Sequence, residues 1–259
     1  MQTQLNIALI QTILIWENPI QNRLLLSEKI NAISKPVDII VLPEMFTTGF
    51  TMNPKDVFET MDGDTVLWMK ALASKKNAAI TGSLIVKEHN SYYNRLLFVH
   101  PNGQIDTYDK RHTFTLAGED KIYAAGTQKC IVTYNGWKIC PLICYDLRFP
   151  VWARNTENYD VLIYVANWPT LRIHAWDTLL KARAIENMAY CIGVNRVGLD
   201  GNNHEYSGHS AAYDVLGNRI DHIPFDKEIT AIVTLQKQEI ETYRKKLNFL
   251  SDQDSFSLK

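Results

Sequence analysis

The chain has 259 residues, 46% of them hydrophobic and 21% charged, which suits one α/β domain or two small ones and argues against disorder. Lys and Arg number 27 against 28 Asp and Glu, and a net charge of −1 speaks against a nucleic-acid partner, for which a basic excess is expected. Four cysteines in apolar runs (Cys130, Cys140, Cys144, Cys191) are too few for a disulfide scaffold.

No apolar run reaches the ~18 residues of a membrane span. The apolar stretch at residues 5–16 lacks the leading positive charge of a signal peptide; the first basic residue is Arg23. The expectation is a cytoplasmic protein with no membrane partner.

In chain order, residues 5–10 read as a buried strand, and residues 21–34 as a helix with Leu24, Leu25, Ile30 and Ile33 on its apolar side. Residues 38–42, a short β-branched run, read as a second buried strand. A helix over 65–76 follows, with Asp62 and Asp64 at its start and Lys75 and Lys76 at its end, as the helix dipole prefers. A strand over 78–86 and a hairpin strand over 94–100 come next, turning at Pro101-Asn102-Gly103.

The second half repeats the order. A helix begins at Pro150, residues 160–165 form a buried strand, and a helix covers about 175–188. A strand over 190–197 follows, and a hairpin strand over 208–215 turns at Leu216-Gly217-Asn218. One unit used twice predicts a single domain of two sheets with helices outside, because strands buried on both faces read as continuous apolar runs.

Three reactive residues end apolar strands, where sites gather in open α/β sheets. Glu44 follows residues 38–43, and a carboxylate in that apolar company loses solvation and is suited to general-base work, or it caps a turn. Lys110, in Tyr108-Asp109-Lys110-Arg111-His112, follows a strand over 104–107 and could hold an oxyanion, or be a solvated turn charge. Cys144 stands at the elbow between a strand ending at Ile143 and the Pro150 helix. Backbone N–H groups there favour a thiolate and offer an oxyanion hole; the alternative is a buried structural cysteine, the expectation for Cys130, Cys140 and Cys191. The seven histidines form no metal-binding pair, Cys140 and Cys144 are too far apart for a redox pair, and there is no Walker-type loop.

Together, Leu42-Pro43-Glu44-Met45-Phe46, the Lys110 segment and Cys144-Tyr145-Asp146-Leu147-Arg148-Phe149-Pro150 resemble the nitrilase superfamily of carbon–nitrogen hydrolases over nearly the whole chain. Ala117-Gly118-Glu119, Ala166-Asn167-Trp168-Pro169, residues 181–187 and residues 193–198 are similar to its bacterial omega-amidase branch. The resemblance implies an α/β fold, a four-layer αββα sandwich with internal pseudo-duplication over residues 1–259, and a Glu44, Lys110, Cys144 triad. It places Glu119 as a second pocket glutamate. Members of the branch hydrolyse the terminal amide of α-ketoglutaramate or α-ketosuccinamate. The implied mechanism is Cys144 attack with Glu44 as base and Lys110 and the Tyr145 N–H as oxyanion donors, with no metal and no organic cofactor.

Such a substrate carries a distal carboxylate, which Arg binds with two parallel hydrogen bonds. Arg148, Arg172 and Arg196 are the candidates, Arg172 foremost, and Trp168, Phe50 and Phe114 are candidate walls. A homodimer is implied through the Pro150 helix and a C-terminal tail from about residue 237. The alternatives are a relative acting on a carbamoyl amine, ureido acid or other small amide; a thiol hydrolase pairing Cys144 with His112 or His209; and an inactive binding protein on the same fold.

Overall fold

The computed structural model describes residues 2–258. The first half runs β1 (Gln4–Gln11), α1 (Pro19–Asn31), β2 (Ile39–Val41), α2 (Asp64–Lys76), β3 (Ala79–Glu88), β4 (Ser91–Val99) and β5 (Ile105–Asp109). The second half runs β6 (Val132–Tyr134), β7 (Trp137–Ile143), α3 (Pro150–Ala153), β8 (Val161–Ala166), α4 (Ile173–Asn187), β9 (Tyr190–Asn195), β10 (Val197–Leu199), β11 (Glu205–Ser207) and β12 (Ala211–Tyr213). β13 (Ile229–Gln236) and α5 (Lys237–Leu247) follow.

Two sheets result, one in the order β13-β1-β2-β3-β4-β5 and one in the order β12-β9-β8-β7-β6. The period-2 alternation of a strand builds the layers. Leu5, Ile7 and Leu9 of β1 pack with Ile139, Ile163 and Val165 in the large core, while Ala8 and Ile10 pack with Leu26 and Ile30 of α1 and Met69 and Ala73 of α2. On the second sheet, α4 contributes Trp176, Leu180 and Ala184. Gly193 lets α4 come close, because a Cβ there would stand 2.5 Å from a Leu180 methyl. The order is helix, sheet, sheet, helix.

The predicted duplication is visible in the pairing. β1-β2-β3 are parallel with β4 antiparallel beyond them, and β7-β8-β9 are parallel with β12 antiparallel beyond them. The matching aspartates behave alike. Asp38 before β2 accepts the Asn6 N–H at 2.7 Å, and Asp160 before β8 accepts the Lys138 N–H at 2.9 Å. The two equivalent helices end alike in a left-handed residue, Asn77 after α2 and Met188 after α4.

The structure differs from the sequence reading at several places. The second hairpin strand is only Ala211–Tyr213, because Gly208 and His209 take positive φ (77° and 58°) and break the extended run. The Pro150 helix is a single turn ending at Ala153. Residues 229–236, which alternate in character, form β13 and pair along the full length of β1. The expected tail from residue 237 begins as α5, docked on its own chain: Ile240 is buried, and Arg244 donates to the carbonyls of Met188 and Tyr159. Beyond it, Phe249 and Phe256 are exposed. No helix among the described residues is long and apolar enough to cross a membrane.

Candidate active site

The parallel strands β2, β7 and β8 and the antiparallel strand β5 deliver side chains to one place. After β2 the chain stays buried through Leu42 and Pro43 to Glu44, and Met45 then turns sharply at φ 42°. After β7, Cys144 itself turns at φ 43°, a conformation that costs a non-glycine residue of order 1–3 kcal/mol and gives the sharp, constrained elbow expected of a presented nucleophile. After β5, Lys110 is locked on both sides: its N–H donates to the Asn94 carbonyl at 3.0 Å, and its carbonyl accepts the Gly126 N–H at 2.9 Å. Gly126 is required there, since a Cβ would lie 2.1 Å from the Asp109 carbonyl oxygen.

The three candidate residues and Glu119 meet in a buried cluster. The Lys110 ammonium donates to Glu44 Oε1 at 2.8 Å and to Glu119 Oε1 and Oε2 at 3.0 and 2.9 Å. All three side chains are 1% exposed or less, so these charges are not screened by solvent. Asn94, also buried, aims its Nδ2 at the same pair, 2.8 Å from Glu44 Oε1 and 3.3 Å from Glu119 Oε1. Glu44 Oε2 accepts the Asn167 N–H at 2.8 Å, and Asn167 Nδ2 donates to the Glu44 carbonyl at 2.6 Å. Cys144 Sγ lies 3.9 Å from the Asn167 carbonyl oxygen. Glu44 Oε1 is thus held by two donors and Oε2 by one, leaving Oε2 the freer oxygen to take a proton.

Electrostatics sets the resting protonation. Burial alone would push the Lys110 ammonium down, but Glu119 and Glu44 outweigh it and hold Lys110 above its ordinary value, so it stays charged. Burial pushes Glu119 above the usual carboxylate range, with Lys110 opposing. Burial, reinforced by the Glu44 charge, raises the Cys144 thiol well above its usual value against the pull of Lys110. The desolvated elbow thus favours the thiol over the thiolate that its backbone N–H groups would favour, which is the state from which the expected Glu44 base would take a proton. The other cysteines are also held protonated by burial, Cys130 up to about 12 and Cys140 and Cys191 higher still.

A cavity of about 670 Å³ opens onto this cluster. Glu44, Lys110, Cys144, Tyr145, Arg148, Trp168 and Arg172 all line it. Tyr145 packs its ring between Phe114 and Phe149. It is the second residue of the helical turn Cys144–Arg148, so its N–H has no acceptor within that turn. Trp168 is fixed through its N–H to Asn195 Oδ1 and its Nε1 to the Arg172 carbonyl, both at 2.8 Å. The Arg148 guanidinium lies 4.8 Å over the Trp168 ring and that of Arg172 lies 5.2 Å over Phe114. No carboxylate among the described residues pairs with either arginine. Arg196 is a different case: it is buried and donates to the carbonyls of Val197, Leu14 and Leu199, which makes it a support for the wall rather than part of it.

The two candidate histidines are engaged elsewhere. His112 Nδ1 meets Asp146 at 2.8 Å with its ring stacked on Phe149, and His209 meets Asp177 at 3.0 Å with its ring stacked on Phe225. Neither is hydrogen-bonded to Cys144, so the Cys-His alternative has no base in place. Sequence reasoning gave no role to Asn94, Asn167 or Asn195. Asn167 carried the same signal as Glu44, a polar residue ending a buried apolar strand. Asn94 carried only its place as the first fully buried residue of a hairpin strand.

The carbon-nitrogen hydrolase family model matches residues 4–245. The chain is 42% identical over 254 residues to "Omega-amidase YafV" of Escherichia coli strain K12, covering 98% of both chains. It is 38% identical over 189 residues to the "2-oxoglutaramate amidase" of Bacillus subtilis strain 168, covering 71% of this chain and 73% of the relative. In three dimensions it resembles a CN-hydrolase superfamily protein of Xanthomonas campestris, solved with an arsenic adduct in its active site, at TM-score 0.97, 40% identity and full coverage of both chains. With the fold, the elbow cysteine and the match over nearly all of its length, the chain belongs to the carbon–nitrogen hydrolase family.

Proposed function

We propose that the protein is an omega-amidase that hydrolyses the terminal amide of a 2-oxo dicarboxylic acid monoamide, such as α-ketoglutaramate or α-ketosuccinamate, through a Cys144 thioester. The observation that carries this reading is a cavity lined both by Glu44, Lys110 and Cys144, with Glu119 behind Lys110, and by two arginines without carboxylate partners. The names of the relatives from E. coli and B. subtilis agree with it.

In the proposed mechanism Glu44 Oε2 takes the thiol proton as Sγ bonds to the amide carbon. The negative charge passes to the carbonyl oxygen, which the Lys110 ammonium and the Tyr145 N–H receive. Glu44 returns its proton to the nitrogen as the C–N bond breaks and ammonia leaves. A water then gives a proton to Glu44, its oxygen attacks the thioester, and the C–S bond breaks. The sulfur recovers the proton from Glu44. Glu119 keeps Lys110 charged and aimed. Apart from substrate and the hydrolytic water, every acid, base and donor in the cycle is a side chain or backbone group of this protein. The expected partner beyond substrate is a second copy of the chain, meeting through the Pro150–Ala153 turn and the C-terminal segment.

A distal-carboxylate site makes a specific prediction. Losing one charge-assisted hydrogen-bond pair is worth roughly 1.5–3 kcal/mol, so Arg172→Ala should raise KM for α-ketoglutaramate about 10- to 100-fold. It should leave turnover of an uncharged amide of similar length unchanged. Steady-state kinetics on the two substrates check this. An equal loss on both, or no preference of the unaltered enzyme for the charged amide, would favour the reading as a carbamoyl-amine or other small-amide hydrolase.

A further inference from the structure

The aspartate two residues past Cys144 has its carboxylate inside the protein, 0% exposed, with no Lys or Arg against it among the described residues. Four donors converge on it. Oδ2 accepts the Tyr108 hydroxyl at 2.7 Å and the Ile143 N–H at 3.1 Å. Oδ1 accepts the His112 N–H at 3.0 Å and lies 2.8 Å from His112 Nδ1. A carboxylate has no proton to give, so Nδ1 carries it.

The positions of these donors matter more than their number. Tyr108 and His112 stand two residues before and two after Lys110, and Ile143 immediately precedes Cys144. The Tyr108 hydroxyl is itself held, accepting the Trp152 Nε1–H at 3.0 Å and the Arg111 N–H at 3.2 Å. Burial and the neighbouring Asp146 keep the Tyr108 phenol protonated, so it remains a donor. His112 lies flat on Phe149, with ring centroids 3.6 Å apart and planes within 3°, which fastens the far side of the Lys110 segment to the turn after the nucleophile.

We propose that Asp146 is a positioning residue that fixes the Lys110 ammonium relative to Cys144 Sγ, clasping the segment that carries the oxyanion donor to the elbow that carries the nucleophile. The proposal rests on the triad reading above. The strands that carry Lys110 and Cys144 belong to different sheets, so no backbone ladder sets the distance between them. Side chains must do so. A carboxylate accepts on both of its oxygens, so Oδ1 can hold His112 while Oδ2 holds Tyr108 and the Ile143 N–H together. An oxyanion donor acts through geometry: it must lie ~3 Å from where the charge develops.

The test is Asp146→Asn. The amide has one oxygen and one NH2, so whichever way it turns, either the Ile143 or the His112 backbone N–H faces a donor. With the small amide substrate, kcat should fall roughly 10²- to 10³-fold, the size of losing an oxyanion donor. KM should move less than about threefold. The rate of Cys144 alkylation by iodoacetamide, which develops no oxyanion, should stay within about threefold of the unaltered enzyme. Tyr108→Phe, which removes one of the four bonds, should show the same split with a loss of about tenfold in kcat. It decides the question alone if the Asn variant does not fold. Unchanged kcat in a folded variant overturns the clasp. So does a parallel fall in kcat and alkylation, which would mean that the nucleophile itself is displaced. Turnover surviving in Cys144→Ala would instead remove the triad reading.

Discussion

Lys110→Met is expected to lose both activity and stability, and to regain the stability in acid. The ammonium lies between two buried carboxylates, 2.8 Å from one and 2.9 Å from the other. Breaking a buried ion pair by removing one partner typically costs about 3–5 kcal/mol, because a charge is left without compensation. In the variant, Glu44 and Glu119 face each other with only neutral donors, Asn94 and backbone N–H groups, beside them. At least one of them must bind a proton. Its folded-state pKa then lies above its unfolded value, so the variant is least impaired below the unfolded value near ~4.3 and loses stability as pH rises through the folded one. Thermal melts at pH 5 and pH 8 check this: the variant should melt closer to the unaltered protein at pH 5. Turnover should fall by roughly 10³-fold or more, since on the proposed mechanism the oxyanion donor is gone.

Glu44→Gln should separate two abilities that the site combines. Gln keeps the shape and can still accept from Lys110, but it cannot carry a proton. On the proposed mechanism turnover needs a proton taken from sulfur and given to the leaving nitrogen, so kcat should fall roughly 10²- to 10⁴-fold. Alkylation of Cys144 needs only a thiolate. Burial and the Glu44 charge both hold the thiol protonated, and Lys110 opposes them. Removing the Glu44 charge leaves Lys110 less opposed, so iodoacetamide should still label Cys144 in the Gln variant while ammonia release has nearly stopped. Activity and labelling measured on the same preparation settle it. A variant that loses labelling along with activity would mean that Glu44 acts by generating the resting nucleophile.

Much of this was legible in the sequence because burial leaves a plain record. The strand at residues 39–41 sits inside the apolar run 38–42, the strand at 161–166 overlaps the run 160–165 to within one residue at each end, the strand before Cys144 ends at Ile143 as expected, and Glu44, Lys110 and Cys144 stood out as the reactive residues at strand ends. The duplicated order of elements could be read for the same reason: the same layers demand the same pattern twice. What stayed hidden was set by distant partners. β13 has alternating apolar character, but nothing local says that it pairs with β1, more than 200 residues earlier. The shortness of β12 comes from left-handed backbone at Gly208 and His209, and a histidine does not announce positive φ. Asn94, Asn167 and Asp146 owe their places to hydrogen bonds across 50, 123 and 38 residues, which no local spacing encodes. For Cys144 the sequence carried two opposed cues, elbow N–H groups that favour a thiolate and a Glu44 base that implies a thiol, and in the assembled site burial raises the thiol.

The most direct measurement is ammonia release from α-ketoglutaramate by the purified protein and by its Cys144→Ala variant, with the intact mass of the enzyme followed during turnover. The account predicts fast release, none from the variant, and a transient acyl adduct on Cys144. Release that persists in Cys144→Ala would contradict the thioester route. An enzyme whose Cys144 is readily alkylated but which leaves α-ketoglutaramate untouched would contradict the substrate.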